Sequence, residues 1–363
     1  MSGIVGDNTD DGSGVINAPI GGATVSSSDP TTSTNAALGT QWANSSTGDY
    51  YVCTDATTDD NIWINVDNAQ DSIQNLPFGG VGGGQSYGFS MGGAVPSAKS
   101  NVIQKYSFSS DGDAADQSNL SVARDHTNGT QSATYGYCNV GAGTAPNQDV
   151  VDKFQFSSGG DSSDVGNATV GGGYVATMSS SDYGYLSNGG GPHTGVIDKN
   201  AFASDTNSTD VGNPAVNHTN SAGSSSLTHG YEHGGSTSPG NHIQKFSFSS
   251  DGDSADISDL TVASPTSSGQ TSTSHGYCAG GASSDVIDKY SHSSDAAASD
   301  VGNLSTSNGY RAGSSSRTYG YVSGGYPPIG RNEINKWAFA SDGDATDIGN
   351  LATGVHAGAG CHV

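Results

Sequence analysis

Six lysines recur along this chain at almost constant spacing: Lys105, Lys153, Lys199, Lys245, Lys289 and Lys336, separated by 48, 46, 46, 44 and 47 residues. Each stands inside a strand-like segment, and each such segment follows a Gly-rich aromatic one. A period in the forties built only from strand-like pieces is the signature of a β-propeller with one blade per repeat. No apolar segment of useful length has helical periodicity, so the chain is expected to be all-β.

The repeats share one order. A loose Gly/Ser stretch such as Ala222-Gly223-Ser224-Ser225-Ser226 comes first. An aromatic-Gly-aromatic core follows, as in Tyr87-Gly88-Phe89, Tyr135-Gly136-Tyr137, Tyr183-Gly184-Tyr185, His229-Gly230-Tyr231, His275-Gly276-Tyr277 and Tyr319-Gly320-Tyr321. After a variable loop comes the Lys strand, such as Val102-Ile103-Gln104-Lys105-Tyr106-Ser107-Phe108. An acidic turn (Ser110-Asp111-Gly112-Asp113) and an Asn119-Leu120 type ending complete the repeat. Aromatic residues fit a pleated surface packed by neighbouring sheets. Gly inside a strand fits where another backbone approaches closely, and Gly pairs after a strand allow a sharp exit. The C-terminal residues 354–363 have room for one strand, expected to complete the blade begun near Gly84; the alternative is a first blade that supplies its own inner strand from residues 79–83.

Formal net charge is −24, from 35 acids against 11 Lys and Arg. That argues against a nucleic-acid groove, which needs clustered positive charge. Low hydrophobic content and 55 Gly would suit disorder, but the strict repeat argues for packed sheets. Cys53, Cys138, Cys278 and Cys361 form no Cys-x-x-Cys pair. Cys138 and Cys278 fall in the same slot three repeats apart, too far across a ring for a disulfide, so all four are expected as free thiols. The start, Met1-Ser2-Gly3-Ile4-Val5-Gly6-Asp7, lacks the basic and apolar regions of a signal peptide, and no segment has the length of a transmembrane helix.

Residues 1–37 are Gly, Asp, Ser and Thr with little apolar pattern, broken by Pro19 and Pro30, and read as an extended N-terminal arm. Residues 38–78 hold three short strand-like pieces, around Trp42, Tyr50-Tyr51-Val52-Cys53 and Ile62-Trp63-Ile64, and read as a small three-stranded β module. So small a sheet needs support from a partner, the propeller or copies of itself. Residues 79–363 read as the propeller.

A Gly-Gly doublet, a strand centred on an aromatic, a polar turn and a final short strand resemble the kelch repeat over residues 81–363. Arg124 matches the Arg that follows the last kelch strand, whereas Asn-Leu or Asp259-Leu260 stands near the place of the kelch Trp. The resemblance implies a six-bladed kelch-like β-propeller. The N-terminal piece resembles the "Trp-x-Asn … Thr-Gly-Asp-x-Tyr-x-Cys-x-Asp … Trp" module of bacteriophage tail-fibre and other virion appendage proteins, on Trp42, Asn44, Thr47, Gly48, Asp49, Tyr51, Cys53, Asp55 and Trp63. The repeat text is similar to propeller arrays of marine phage structural proteins. These resemblances imply a non-enzymatic virion protein, assembled in the host cytoplasm and released by lysis. Trp42, Tyr51 and Trp63 would mark a module docking on other virion proteins.

Several constellations invite chemistry. The sets Asp111/Asp113/Asp116, Asp251/Asp253/Asp256 and Asp342/Asp344/Asp347 have Ca²⁺-like spacing, but other repeats keep only outlying acids (Asp205 with Asp210, Asp295 with Asp300). A solvated turn is the expected reading, Ca²⁺ the alternative, and no cofactor is required. The repeat Lys is expected to lay its stem on the neighbouring sheet and offer its ammonium to a turn Asp or carbonyl. His229 and His275 read as aromatic substitutes for Tyr. Glu occurs only at Glu232 and Glu333, so no Glu pair suits glycoside hydrolysis. No Tyr, Cys and His set stands out for the copper chemistry of some kelch-fold oxidases.

Function is expected in the loops least bound by the repeat: residues 94–100, 141–149, 191–195, 236–241 and 326–332. The most distinctive holds Tyr326, Pro327, Pro328, Ile329 and Arg331, a candidate surface for a host glycan or protein receptor. The alternatives are a secreted or cell-surface lectin or adhesin, which would need a leader or anchor, and a propeller-scaffold enzyme, which would place unmatched polar residues at the axis of one repeat.

Overall fold

The aromatic-Gly-aromatic and Lys segments pair with one another in every repeat. The residue after the Gly lies opposite the Lys: Phe89 with Lys105, Tyr137 with Lys153, Tyr185 with Lys199, Tyr231 with Lys245, Tyr277 with Lys289 and Tyr321 with Lys336. This computed structural model describes residues 24–45, 50–65, 86–143, 148–187 and 195–363, in two units, Met1–Leu76 and Pro77–Val363. Among the described residues there is no helix.

The second unit holds six four-stranded antiparallel sheets among its described residues. Sheet I orders Ala359–His362, Tyr87–Met91, Val102–Ser107 and Ala115–Asn119. Sheet II runs Asn128–Gln131, Tyr135–Gly141, Gln148–Gln155, Ser163–Asn167. Sheet III runs Ala176–Ser179, Tyr183–Ser187, Ile197–Ala201, Thr209–Gly212. Sheet IV runs Ser221–Ser225, His229–Gly234, His242–Ser247, Ala255–Asp259. Sheet V runs Ser268–Thr271, His275–Gly281, Ser284–Ser291, Ser299–Asn303. Sheet VI runs Ala312–Ser315, Tyr319–Ser323, Glu333–Ala338, Thr346–Asn350. The C-terminal strand therefore supplies the first strand of sheet I, pairing Cys361 with Phe89.

Two kinds of glycine have two different causes. In five second strands the third-strand ring lies across the Gly: a Cβ on Gly88 would sit 2.5 Å from Tyr106, on Gly136 2.4 Å from Phe154, and on Gly320 2.3 Å from Trp337, whereas Gly184 meets the side chains of Thr130 and Asn200. In the first strands, backbones meet. A Cβ on Gly129 would lie 2.0 Å from the Gly360 oxygen, on Gly223 2.2 Å from that of Thr177, on Gly269 2.0 Å from that of Gly223, and on Gly360 1.9 Å from that of Gly313. Thr177 holds the one Cβ of this register and hydrogen-bonds the Gly129 carbonyl at 2.8 Å.

Aromatic seams join consecutive sheets. Phe89 packs on Phe154 and Phe156, Tyr137 on Phe202, Tyr185 on Phe246 and Phe248, Tyr231 on Tyr290 and His292, Tyr277 on Trp337 and Phe339, and Tyr321 on Tyr106 and Phe108. The last seam returns from sheet VI to sheet I. Burying rings of this size contributes on the order of 2 kcal/mol each, which explains how a chain with so few aliphatic residues holds together. The architecture is all-β and propeller-like.

The first unit corrects one expectation. Its sheet has four strands, not three: Thr24–Ser26 runs parallel to Gln41–Asn44, followed antiparallel by Tyr50–Asp55 and Ile62–Asn65. Part of the expected arm thus belongs to the sheet. A parallel partner is joined by no tight turn, so no local turn signal announces it. Tyr51, Cys53 and Trp63 are buried together, with Trp42 edge-on to Trp63 at 5.8 Å. Residues 1–23 of the arm, residues 46–49 with Thr47, Gly48 and Asp49 of the appendage-like motif, and residues 66–85 lie outside the described residues.

Candidate functional site at the backbone collar

The repeated polar residues stitch sheet to sheet. Lys153 reaches Asp205 at 2.8 Å, Lys199 Asp251 at 2.9 Å, Lys245 Asp295 at 2.9 Å and Lys289 Asp342 at 2.9 Å, and Lys336 pairs with Asp111. The second acid of each Asp-Gly-Asp turn accepts a backbone N–H from the preceding sheet: Asn213 donates to Asp253 at 2.8 Å, Asn303 to Asp344 at 2.9 Å and Asn350 to Asp113 at 2.9 Å. The carboxylates with Ca²⁺-like spacing thus face different protein partners, and no three metal-ligating side chains converge among the described residues. Lys105 is the exception. Gly159 occupies the place of the acid, and the ammonium lies 3.7 Å from the centre of the Tyr87 ring. Partial burial pushes it below the usual lysine range.

A third register uses the residue before each Lys. Thr169 N–H donates to Asp198 at 2.8 Å, Val216 to Gln244 at 2.7 Å, Thr261 to Asp288 at 2.9 Å, Ser305 to Asn335 at 3.2 Å, Thr353 to Gln104 at 2.7 Å and Ser121 to Asp152 at 3.2 Å. Asp152 also takes fully buried Arg124 at 2.8 Å. Burial pushes Asp198 and Asp288 above the usual carboxylate range despite their Thr hydrogen bonds.

His229 and His275 occupy Tyr positions and are lowered by burial and then by Lys245 and Lys289. Tyr51 and Trp63 are buried inside the N-terminal sheet and Trp42 is partly buried. Among the described residues, the large apolar side chains which that unit exposes are Val25 and Leu38, each 69% exposed. The four cysteines are free and buried.

The loops between second and third strands share one face with the connectors between sheets. Ala94 bridges His356, Asp125 bridges Ala142, Gly309 bridges Tyr326, and Ser236 N–H donates to Thr219 at 2.8 Å. Residues 144–147 and 188–194 of these loops lie outside the described residues. Tyr326, Pro327, Pro328 and Ile329 are exposed. Arg331 turns inward, donating to Thr306 at 2.7 Å and lying 3.4 Å from Glu333.

On this face lies a feature with no signature in residue type. One residue before each first strand adopts left-handed backbone: His126 (φ 52°), Tyr174 (74°), Asn220 (59°), Thr266 (61°), Tyr310 (59°) and Ala357 (55°). Their backbones form a collar. Tyr174 N–H donates to His126 carbonyl at 3.2 Å, Asn220 to Tyr174 at 3.1 Å, Thr266 to Asn220, Tyr310 to Thr266 and Ala357 to Tyr310 each at 2.8 Å, and Thr127 to Ala357 at 3.3 Å. Non-Gly residues in this conformation cost about 1–2 kcal/mol each, and such strain gathers at functional sites.

The collar frames a small hollow of about 40 Å³ beside a polar one of about 90 Å³ lined by Ser, Gly, Thr and Gln of the first strands. Above it rings follow one another: Tyr326 lies 5.3 Å from His356, His356 6.3 Å from Tyr310, Tyr310 5.6 Å from His126, and His126 4.1 Å from Tyr174. Asp125 is held by Lys99 at 2.9 Å and His126 at 3.1 Å; burial would raise its carboxyl, but these two partners hold it below the usual range. Arg311 lines both hollows, where other repeats place Thr127, Val175, Ser221, Ser267 and Gly358. The loop around Tyr326 was legible as distinctive; the other rings and Arg311 were not. Neither a protein-family model nor a curated protein matches this chain.

Proposed function

We propose that the chain is a non-enzymatic structural protein of a phage particle, a tail fibre, appendage or decoration, with its N-terminal unit docking on other virion proteins and its larger unit presented outward for recognition of a host-surface glycan or receptor. The larger unit is read as a six-bladed kelch-like β-propeller, supported by aromatic seams and hydrogen bonds that return from sheet VI to sheet I. The observation that carries the recognition role is the segregation of regular and irregular features. Repeated Lys, Asp and Asn side chains hold sheet to sheet, whereas the irregular loops, the strained collar and the ring ladder share one face. Variable loops on a rigid scaffold suit binding. In the N-terminal unit, exposed Val25 and Leu38 are the side chains offered for docking, on a sheet whose core is Trp42, Tyr51 and Trp63.

The test is co-purification. The chain should travel with particles through a density gradient at fixed stoichiometry, and antibody against residues 326–331 should block adsorption to the host. A chain found only free of particles would refute this reading.

A further inference from the structure

We propose that the seam between sheets I and II holds a binding site for a carboxylate, taken up between the ammonium of Lys105 and the side-chain amide of Gln117. The site lies toward the turns that follow the third strands, at the opposite end of the sheets from the loops carrying Tyr326. It stands apart from the recognition role proposed for that face.

Three observations converge. First, the chain itself shows what this place is shaped for. At the five other seams the repeat Lys meets an Asp from the turn of the next sheet. At this seam Gly159 takes the register of that Asp, and Lys105 forms no ion pair among the described residues. Its ammonium nevertheless keeps the posture of the paired lysines. It lies 3.7 Å from the centre of the Tyr87 ring, as Lys153 lies 4.4 Å from Tyr135 and Lys199 4.0 Å from Tyr183 while each holds its Asp. The donor is in place and its acceptor is missing.

Second, the place is open. A Cβ on Gly159 would meet only Gln117 Cγ, at 3.7 Å, and one on Gly160 only Ser158 Oγ, at 3.8 Å. The seam between sheets V and VI shows the same register with its Asp present. There Lys289, His275, Val301 and Asp342 still line a groove of about 210 Å³, so a ligand has a way in from solvent even beside a filled pair.

Third, the fourth strand of sheet I departs from the repeat at the same place. Val165, Val211, Ile257, Val301 and Ile348 hold one slot in the other sheets, and sheet I has Gln117 there. Its Oε1 and Nε2 are both buried and make no hydrogen bond among the described residues, and its Cγ is the atom that faces Gly159. Leaving a buried amide unmet is costly. Two separate registers thus depart from the repeat beside Lys105: one lacks a carboxylate, and the other offers a donor for one. An ammonium and an amide N–H on adjoining walls suit a planar carboxylate. The net charge of −24 disfavours anions of higher charge, so a monocarboxylate is preferred to phosphate.

The test is NMR of the full chain with isotope-labelled lysine, titrated at constant ionic strength with acetate and with the blocked peptide acetyl-Gly-Asp-Gly-amide. Chloride and phosphate are the controls. Acetate or the peptide should shift the Lys105 side-chain signals saturably in the millimolar range and leave the five paired repeat lysines unmoved. Acetate binding at least as tightly as the peptide would assign a free small carboxylate; a peptide bound ten-fold or more tighter would assign an acidic side chain of another polypeptide. Gln117→Val should weaken binding at least three-fold while the thermal midpoint stays or rises, because an unmet amide is removed. Gly159→Asp should abolish the shift, its own carboxylate filling the place. Chloride or phosphate matching acetate, a linear drift shared by all the repeat lysines, or affinity unchanged by Gln117→Val would overturn the site.

Discussion

Gln104 and Thr353, 249 residues apart, exchange two hydrogen bonds: the Thr353 N–H donates to Gln104 Oε1 at 2.7 Å and Gln104 Nε2 to the Thr353 carbonyl at 2.9 Å. The side chain belongs to sheet I and the backbone to the connector after sheet VI. Each other sheet repeats this bond with its predecessor, so Gln104 joins the two ends of the repeat array. Gln104→Ala removes the side-chain partner of the part-buried Thr353 N–H and carbonyl and should lower stability by about 1 kcal/mol, read by urea unfolding. An unchanged midpoint would show that the seam does not need this bond.

Gly360 probes the approach of the first strands. Its φ is ordinary, but a Cβ there would lie 1.9 Å from the Gly313 carbonyl oxygen. Gly360→Ala should destabilise by about 3 kcal/mol, at the upper end for overpacking. A thermal midpoint within a degree of the parent would mean that the first strands do not pack this closely.

Lys105 lacks the acid that five other repeat lysines have, because Gly159 stands in its place. Asp251 and Asp342 adopt the same left-handed backbone as Gly159, with φ 54° and 52° against 64°, and a Cβ at Gly159 meets nothing closer than 3.7 Å. Gly159→Asp should therefore build the missing pair. Its effect on stability should stay within about 1 kcal/mol and fade with salt. The direct readout is NMR titration of Lys105, whose ammonium should move back up toward the usual lysine range. An unmoved titration would refute the pairing.

Acid should act early. Burial lowers His233, His292 and His362 to about 3, against about 6.5 in an unfolded chain. Folded pKa values below unfolded ones mean that the unfolded state binds more protons, so stability present above pH 6.5 falls as pH drops toward 3. Asp198 and Asp288, raised by burial, act in the opposite sense around their own lower range. Urea midpoints should drop between pH 7 and pH 5, before most carboxylates titrate, and His233→Gln should flatten that slope. A midpoint constant from pH 7 to pH 5 would contradict the burial of these rings.

The architecture was legible because its causes recur in residue type. Lys faces an aromatic across each strand pair, Gly yields to a cross-strand ring, and the acidic turn receives the neighbouring Lys. The collar was not legible, because His126, Tyr174, Asn220, Thr266, Tyr310 and Ala357 share a backbone conformation and no chemistry. Its one sequence trace is a constant position just before each Gly/Ser strand. Arg311 passed unnoticed for a similar reason: it becomes unusual only when set beside Thr127, Val175, Ser221, Ser267 and Gly358. The parallel strand Thr24–Ser26 was hidden because three polar and β-branched residues carry no pattern until Gln41–Asn44 lies beside them.

The central claim is a virion protein that presents its strained, aromatic face to the host. Electron cryomicroscopy of phage particles purified together with this chain tests it most directly. The account predicts density in which the N-terminal unit is held by another virion protein and the face bearing Tyr326, Tyr310 and Tyr174 points away from the particle. Particles without density for this chain, or with that face buried against the virion, would contradict it.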